Sequence, residues 1–489
     1  MNIPRRRFLH LGTATAALPM IARARAAEKP PQLAAGQSLA ERLAAYASSL
    51  SYDDIDAATL ERVKTFVIDT IGCGMGAWDE RPVHACREIA LSVSGPATIV
   101  GTARRTTTDL AAFANGVAVR YLDFNDTYVG KFAAHPSDNI PACLAVAEAE
   151  RASAQELVVA IVIAYEVNCR LVEAFDISSR GWDPPVFGLP SVALAAGRLM
   201  KLDPQQMTQA VNLAINDHIP LALTRVGALS DWKGLAAAEA GRNAVFAARL
   251  ARAGITGPAP IFEGTSGLFQ QVTGPGSVDV AAFGGRDRQF RVHKCSLKPY
   301  PAVIYTQTAI VAAIEVAKLV GGLDRIVAIE IATTARGYQR TGSEPEKWSP
   351  KTRETADHSL PYITARAMFD GDVTNDSFAP EKFRDPAVLD FMRKIKVAED
   401  PALTARGGTA VPTRVTAILA DGQRVSREVD HAPGFADRPM TRAEVERKFR
   451  GNGGHRWPQD QMTGALEALW GLERSTDISS LLGKLALRD

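Results

Sequence analysis

The sequence predicts a mainly α protein in which a large all-helical domain is joined to a smaller α+β domain. The chain has 489 residues, which exceeds the usual size of one hydrophobic core, so two domains are expected. Between Ser38 and Ala253, apolar residues recur almost continuously at helical spacing. After Gly264, segments rich in β-branched residues alternate with helical ones, and this alternation is typical of an α+β unit.

Eight amphipathic helices are predicted in the first half of the chain. Each combines apolar residues at helical spacing with Pro, Gly, Ser, Thr or Asp at its ends. They cover residues 38–50, 53–76, 107–119, 141–150, 154–175, 191–200, 204–214 and 234–253. No strand pattern competes with them.

The second half mixes strands and helices. Strands are predicted at residues 288–292, 325–333 and 395–398, and two more within 413–429 around the turn Asp421-Gly422. Helices are predicted at 304–320, 362–369, 386–394, 462–472 and 479–487, with helical character from Thr441 onward. Because a helical tail can return to the first domain, we expect an all-helical domain of residues 30–285 and 434–489 and an α+β domain of residues 286–433.

The first residues have the features of an export signal. Arg5, Arg6 and Arg7 precede Phe8-Leu9, an apolar run covers residues 11–21, and Ala24-Arg25-Ala26 offers a cleavage site. This segment, residues 1–26, resembles a twin-arginine signal peptide, so we expect the translocation machinery as a transient partner and a periplasmic location. Cleavage after Ala26 would remove five arginines and change the formal charge from +2 to −3, with 51 basic and 54 acidic side chains left. That balance gives no support for nucleic-acid binding.

No cofactor or metal site is predicted. The five cysteines form no C-x-x-C pair, and no phosphate loop or dinucleotide fingerprint is present. An odd number of cysteines argues against a full disulfide framework, although one bridge stays open. The strongest internal apolar run, residues 157–165, is too short for a bilayer that requires about 20 residues, so no stable membrane insertion is expected.

One short polar stretch contains side chains that can act as acids and bases. Asp123 and Thr127 are followed closely by His135, immediately before the apolar run IPACLAVAEA. A carboxylate and an imidazole can transfer protons near neutral pH, and hydroxyl groups can orient the oxygen atoms of a substrate. The alternative is an ordinary loop with a helix cap and an incidental histidine.

Three basic residues stand in distinctive local settings. Arg225 and Lys233 lie just before or at the start of a predicted helix, where anions are favoured. Lys298 precedes the rigid turn Pro299-Tyr300-Pro301. A single lysine of this kind is ordinarily a solvated surface residue, but together with the acid–base stretch the three favour a pocket for a polycarboxylate.

Several blocks resemble one known family in order and spacing. They are DFNDTY, HPSDNIPACLAVAE, TRVGALSDWKGLAAAEAGRNAVFAA, LKPYP and ADHSLPYITARAMFDGDVT. The chain from Ser38 onward is similar to the MmgE/PrpD family, which includes 2-methylcitrate dehydratases and cis-aconitate decarboxylases. The resemblance implies a homodimer with an α+β lid over a helical domain, without metal or organic cofactor, that acts as a lyase on a di- or tricarboxylic acid.

The resemblance also implies the site residues. Asp123 and Thr127 match the family's D-x-x-x-T pair, His135 its H-P-S histidine, Lys233 and Lys298 its two lysines, and Tyr362 a tyrosine near the lid, with His358 beside it. Asp183 stands where many members have a pocket histidine, and Gln307 where many bacterial members have another. An ionised Asp183 would repel a substrate carboxylate unless its pKa were raised.

The predicted chemistry begins with removal of a proton next to a carboxylate. Lys233, Lys298 and Arg225 would stabilise the negative charge that develops, and either Asp123 or His135 would be the base, with the other as acid. Loss of water or of carbon dioxide would follow. Two alternatives remain from the sequence, which are an epimerase or isomerase of a dicarboxylate and a periplasmic carboxylate-binding protein without catalytic activity.

Overall fold

The computed structural model describes residues 36–216, 218–408 and 410–487, so the predicted signal peptide lies outside the described residues. The α-helices are α1 (Leu39–Ser49), α2 (Ala57–Gly76), α3 (Arg81–Ala90), α4 (Thr108–Tyr121), α5 (Ile140–Ala149), α6 (Ala154–Ala174), α7 (Gly188–Leu199), α8 (Pro204–Asn216), α9 (Trp232–Arg252), α10 (Gln307–Val320), α11 (Ala335–Thr341), α12 (Arg353–Ala356), α13 (Leu360–Asp370), α14 (Pro380–Phe383), α15 (Pro386–Met392), α16 (Pro401–Ala405), α17 (Arg442–Gly453), α18 (Gln459–Trp470) and α19 (Ile478–Gly483). The strands are β1 (Ala97–Thr98), β2 (Arg105–Thr106), β3 (Tyr128–Val129), β4 (Ala133–Ala134), β5 (Ile326–Thr333), β6 (Ile395–Glu399), β7 (Thr413–Leu419) and β8 (Arg424–Val429). The prediction of a mainly α protein is confirmed.

The helices of the first half form where the sequence predicts them. Ser38 caps α1 and Ser153 caps α6, each through a capping box with a glutamate three residues later. Helix α3 was not predicted, because its exposed face is polar and its five buried residues, Pro82, Val83, Cys86, Arg87 and Ala90, include a proline and an arginine. Two short strand pairs, β1–β2 and β3–β4, were also not predicted.

A four-stranded sheet has the order β6-β5-β7-β8. β5 pairs with β6 in parallel and with β7 antiparallel, and β7 pairs with β8 antiparallel through a turn in which Gly422 has φ +83°. The predicted strand at residues 288–292 is wrong. Arg291–Lys294 form a 3₁₀ turn, and the backbone N–H of Arg291 donates 2.6 Å to the Glu166 carboxylate instead of to a neighbouring strand.

Two large hydrophobic clusters fill the interior. The first contains residues from α1 to α9 together with side chains of α17 to α19, among them Phe449, Leu466 and Leu481. The second packs α10 and α13 on the sheet and includes Ile310, Ile329 and Val415. Phe290 and Leu297 belong to the first cluster, although both follow the predicted boundary at residue 286. The domain boundaries stay predictions.

Among the described residues, no helix combines the length and the apolar character needed to cross a membrane. All five cysteines are buried free thiols. The Sγ atoms of Cys169 and Cys295 lie 3.8 Å apart.

Candidate active site

Two close contacts bring the predicted site residues together. Thr127 and Ser296 exchange backbone hydrogen bonds of 2.8 Å in both directions, which places Lys298 beside Asp123, 175 residues earlier in the chain. α4 packs against α9 so closely that a Cβ atom on Gly234 would lie 2.9 Å from the Tyr121 ring. This approach brings Lys233, the neighbour of Gly234, to the same carboxylate.

Asp123 lies just beyond the end of α4 in a strained backbone conformation. Its φ is +51°, in the left-handed region that costs a non-glycine residue free energy. Lys298 compensates for this, since its Nζ atom donates to both the backbone carbonyl and the Oδ1 atom of Asp123 at 2.5 Å. Strain held in place by a buried ion pair is typical of functional sites.

Three cations and a second carboxylate surround Asp123. Arg120 Nη1 is 2.9 Å from Asp123 Oδ1, and Lys233 Nζ is 3.2 Å from Asp123 Oδ2. Lys233 also donates to both oxygens of Asp357, at 2.9 and 2.7 Å. We call these five residues, Arg120, Asp123, Lys233, Lys298 and Asp357, the charge cluster. Their side chains are at most 3% exposed.

The cluster fixes the charge of its members. Burial alone would raise the pKa of Asp123, but Arg120, Lys233 and Lys298 more than offset it and hold that pKa well below the usual range. Burial likewise opposes ionisation of Asp357, and Lys233 with His358 lowers its pKa nevertheless. Burial lowers the pKa of Lys298 to about 8, in spite of the attraction of Asp123. Both carboxylates are therefore ionised at neutral pH.

His135 is held as a neutral imidazole. Its Nδ1 atom is 2.6 Å from the backbone carbonyl of Asp126, and a carbonyl can only accept, so Nδ1 carries the hydrogen. Thr127 Oγ1 lies 3.3 Å from the same nitrogen. Burial lowers the pKa of His135 well below its ordinary value, and the charges of Arg120 and Lys298 lower it further. The Nε2 lone pair is left free to accept a proton.

His358 is a second neutral imidazole. Its Nδ1 is 2.5 Å from Asp357 Oδ1, and its Nε2 is 3.6 Å from Asp123 Oδ2. Burial and the charge of Lys233 lower its pKa to about 4. His358 is therefore uncharged beside two ionised carboxylates.

The negative charge of Asp183 is offset by an ion pair with Arg225. Arg225 donates to both of its oxygens, at 2.8 and 3.2 Å, and to the backbone carbonyl of Lys233 at 2.9 Å. The carboxylate at the position of the common family histidine therefore faces a guanidinium of this chain. Repulsion of a substrate carboxylate, which the sequence analysis considered, is countered by this partner.

A cavity adjoins the charge cluster. Its helical wall, defined by residues 120–225, carries Arg120, Asp123, Phe132, Ala133, His135, Ser178, Trp182, Asp183, Pro184, Ala222 and Arg225. Its α+β wall carries Val303, Ile304, Tyr305, Arg336, Arg340 and His358. Charged groups and apolar side chains thus converge on one space, as in sites for small organic ligands.

The structure distributes the predicted site residues over three places. Asp123, His135, Asp183, Arg225 and His358 line the cavity. Lys233 and Lys298 are fully buried beneath the carboxylates, and Thr127 lies behind His135. These three are not among the residues that form the cavity surface.

Tyr362 lies elsewhere, which corrects the expectation that it orients substrate. Its hydroxyl donates to the backbone carbonyl of Ser377, and its ring packs near Phe378 in the second hydrophobic cluster. Gln307 likewise has a structural role, because its side-chain amide donates to the carbonyls of Tyr300 and Ala302.

Asp123, Asp357 and His358 offer three ligand atoms within 4.8 Å of one another, a geometry that could suggest a cation site. The amino group of Lys233, however, lies between the two carboxylates, and Lys298 engages Asp123 as well. A metal ion there would have to displace two ammonium groups. The donor set therefore fits lysine better than metal.

Three residues of the site were not predicted from the sequence. Arg120 stands three residues before Asp123 in α4, a spacing that could have indicated the ion pair. Asp357 directly precedes His358 in one of the family blocks, so it also had a signal. Arg340 had no such signal in the sequence, because only the fold brings α11 to the cavity.

Two family models and several known proteins match this chain. The family model of the MmgE/PrpD N-terminal domain matches residues 41–281, and that of the MmgE/PrpD C-terminal domain matches residues 300–472. The chain is 25% identical to the cis-aconitate decarboxylase-like protein oryM of Aspergillus oryzae over 474 residues, which covers 90% of this chain and 96% of that protein. It is 25% identical to cis-aconitate decarboxylase of Mus musculus (91% and 93% covered) and 26% identical to 2-methylcitrate dehydratase of Cupriavidus necator (86% and 90% covered).

Proposed function

Because this chain belongs to the MmgE/PrpD family, we propose that it is a lyase that acts on a di- or tricarboxylic acid. In the dehydrating version the reaction begins with removal of a proton next to a carboxylate and ends with loss of water. In the decarboxylating version carbon dioxide leaves and the carbon then takes up a proton. The relatives described above are named as cis-aconitate decarboxylase and 2-methylcitrate dehydratase, which supports both versions.

A single observation carries the proposal: His135 presents a free Nε2 lone pair to the cavity beside the charge cluster. A base must be unprotonated before it acts, and the lowered pKa of His135 keeps it so at neutral pH. Asp123 is a weaker base than an ordinary carboxylate, because three cations stabilise its ionised form, and both of its oxygens already contact those cations. His135 is therefore the base in this proposal.

The charge cluster supplies the electrostatic part of the mechanism. Proton removal next to a carboxylate builds extra negative charge on the substrate, and fixed positive charges in a desolvated site stabilise it. Arg120 faces the cavity, whereas Lys233 and Lys298 act from beneath Asp123 and Asp357. The lysines are thus positioning residues that keep both carboxylates ionised and add to the positive potential.

The dehydration step balances with His135 alone. The proton moves from the substrate carbon to Nε2, the carbon–oxygen bond breaks, and the imidazolium returns the proton to the departing hydroxide as water. In decarboxylation the carbon–carbon bond breaks first, and the carbon then takes a proton from an imidazole that must have been protonated beforehand. Because His135 is a neutral base before substrate binds, we propose dehydration in preference to decarboxylation.

The expectations on assembly and location remain part of the proposal. Leu223 is 74% exposed and Trp232 46% exposed, near the segment that carries Arg225, and such apolar exposure supports a homodimer contact. The arginines at positions 5–7 support twin-arginine export to the periplasm. Light scattering of the purified protein, and periplasmic yield of an Arg5→Lys/Arg6→Lys variant, test these two points.

A substrate panel tests the function. The purified protein is incubated with hydroxy and unsaturated polycarboxylates, including 2-methylcitrate and cis-aconitate, and products are followed by mass. Loss of water or of carbon dioxide supports a lyase. Exchange of substrate hydrogen with deuterated water without net loss indicates an epimerase, and binding without either indicates a carboxylate-binding protein.

A further inference from the structure

Four arginines line the cavity, and three of them have a carboxylate partner. Arg120 pairs with Asp123 and Arg225 with Asp183. Arg336 Nη2 lies 3.2 Å from Asp176 Oδ2. The fourth is Arg340, which has neither a hydrogen bond nor an ion pair with any residue that the structure describes.

The balance of charge around the cavity points to the same residue. Without Arg340, five cations face five carboxylates: Arg120, Arg225, Lys233, Lys298 and Arg336 against Asp123, Asp138, Asp176, Asp183 and Asp357. Each of these cations is within 4.0 Å of an acidic partner of the protein. An anionic ligand therefore meets one guanidinium whose charge is not already matched, and a charge of this kind is available for a new bond at little cost.

The surroundings of Arg340 suit a carboxylate. It lies in the last turn of α11, on the α+β wall, while His135 and Asp123 belong to the helical wall. The buried side chain of Tyr305 lines the same space, and the charges of Arg336 and Arg340 both act on its hydroxyl. A planar guanidinium can form two parallel hydrogen bonds with a carboxylate, which gives direction as well as strength.

We propose that Arg340 is a specificity-determining residue that binds a substrate carboxylate remote from the carbon that reacts at His135. This inference rests on the proposed function, because it assumes a substrate with more than one carboxylate. Arg340 then selects for substrates that carry the second anionic group.

The test compares two probes that differ in one charge. Glutarate carries two carboxylates, and its monoamide, glutaramate, has the same shape with one carboxylate replaced by a neutral amide. Binding of each to the purified full-length protein is measured by calorimetry for wild type, Arg340→Gln and Arg340→Lys. The matched control is Arg393→Gln, because Arg393 is 84% exposed and does not line the cavity.

We expect wild type and the Arg393→Gln control to bind glutarate about tenfold more tightly than glutaramate, because glutaramate cannot form one of the charge-assisted hydrogen bonds. In Arg340→Gln this preference should shrink to within about twofold, and Arg340→Lys should restore part of it because the charge returns without the planar fork. Melting temperatures should match among the variants.

Two outcomes would overturn the inference in different ways. If wild type prefers glutarate and Arg340→Gln keeps the full preference, Arg340 is a solvated cation at the cavity edge, and the proposed function is unaffected. If wild type binds neither probe in a properly folded state, the polycarboxylate site itself is refuted, and the role of Arg340 with it.

Discussion

The two walls of the cavity differ in whether all of their charged side chains have an oppositely charged partner. On the helical wall, Asp123 is saturated by Arg120, Lys233 and Lys298, and Asp183 is matched by Arg225. On the α+β wall, Arg336 is about one-third exposed and pairs with Asp176 at 3.2 Å. Next to it, Arg340 has no acidic partner among the described residues.

This difference indicates a division of labour. Charges that are already bonded to one another cannot rearrange around a ligand, so the helical wall is preorganised for the transition state. A charge without a partner gains a bond only when a ligand arrives. We therefore expect changes in the helical wall to affect turnover and stability, and changes in the α+β wall to affect substrate affinity and choice.

The largest effect is expected from Asp123→Asn. The substitution leaves three buried cations with one carboxylate fewer, and loss of one partner from a buried ion pair costs about 3–5 kcal/mol. Denaturant unfolding should show that loss, and turnover should fall at least about 1,000-fold, the combined effect of lost charge and altered geometry. Asp390→Asn is the control, since Asp390 is 73% exposed. Wild-type stability in Asp123→Asn would contradict the importance of the charge cluster.

His135→Gln should separate turnover from binding. The amide keeps a polar group but cannot act as a base, so kcat should fall by about 10²–10⁴, while KM changes little. Steady-state kinetics on a substrate found by the panel measures both. The exposed His84 provides the control His84→Gln. An active His135→Gln enzyme would mean that another group takes the proton.

The pH dependence of kcat/KM tests the charges assigned to His135 and Lys298. The pKa of His135 is lowered, so its base form persists well below about 6.5, the ordinary value for histidine. The pKa of Lys298 is about 8, so the cluster loses a positive charge as the pH rises through that value. The ratio kcat/KM should be level near pH 6.5 and fall above about pH 8. A fall in activity centred at pH 6.5 would show that the base is an unperturbed histidine.

The smallest effect is expected from Tyr362→Phe. The hydroxyl donates to the Ser377 carbonyl within the second hydrophobic cluster, so its loss should lower the free energy of unfolding by about 1 kcal/mol. Turnover should stay within about twofold of wild type, since no contact with the cavity is removed. A large loss of turnover with unchanged stability would restore the role in substrate orientation that the sequence analysis assigned.

The sequence predicted local structure better than long-range charge pairing. Helical periodicity and capping residues located α1, α6 and most other helices, because those signals are local. The strand predicted at residues 288–292 failed because alternation does not show whether a neighbouring strand is available. The roles of Lys233 and Lys298 were incompletely predicted, since sequence spacing cannot show that Asp123 and Asp357 already hold both amino groups.

The most direct test of this division of labour is loss of the label from a substrate deuterated on the carbon next to its carboxylate, measured by mass at saturating substrate for wild type, His135→Gln and Arg340→Gln. We expect wild type to release the label, His135→Gln to release almost none of it, and Arg340→Gln to release it at close to the wild-type rate once substrate is saturating. Undiminished release by His135→Gln, or no release by a folded Arg340→Gln protein at saturation, would contradict this division of labour.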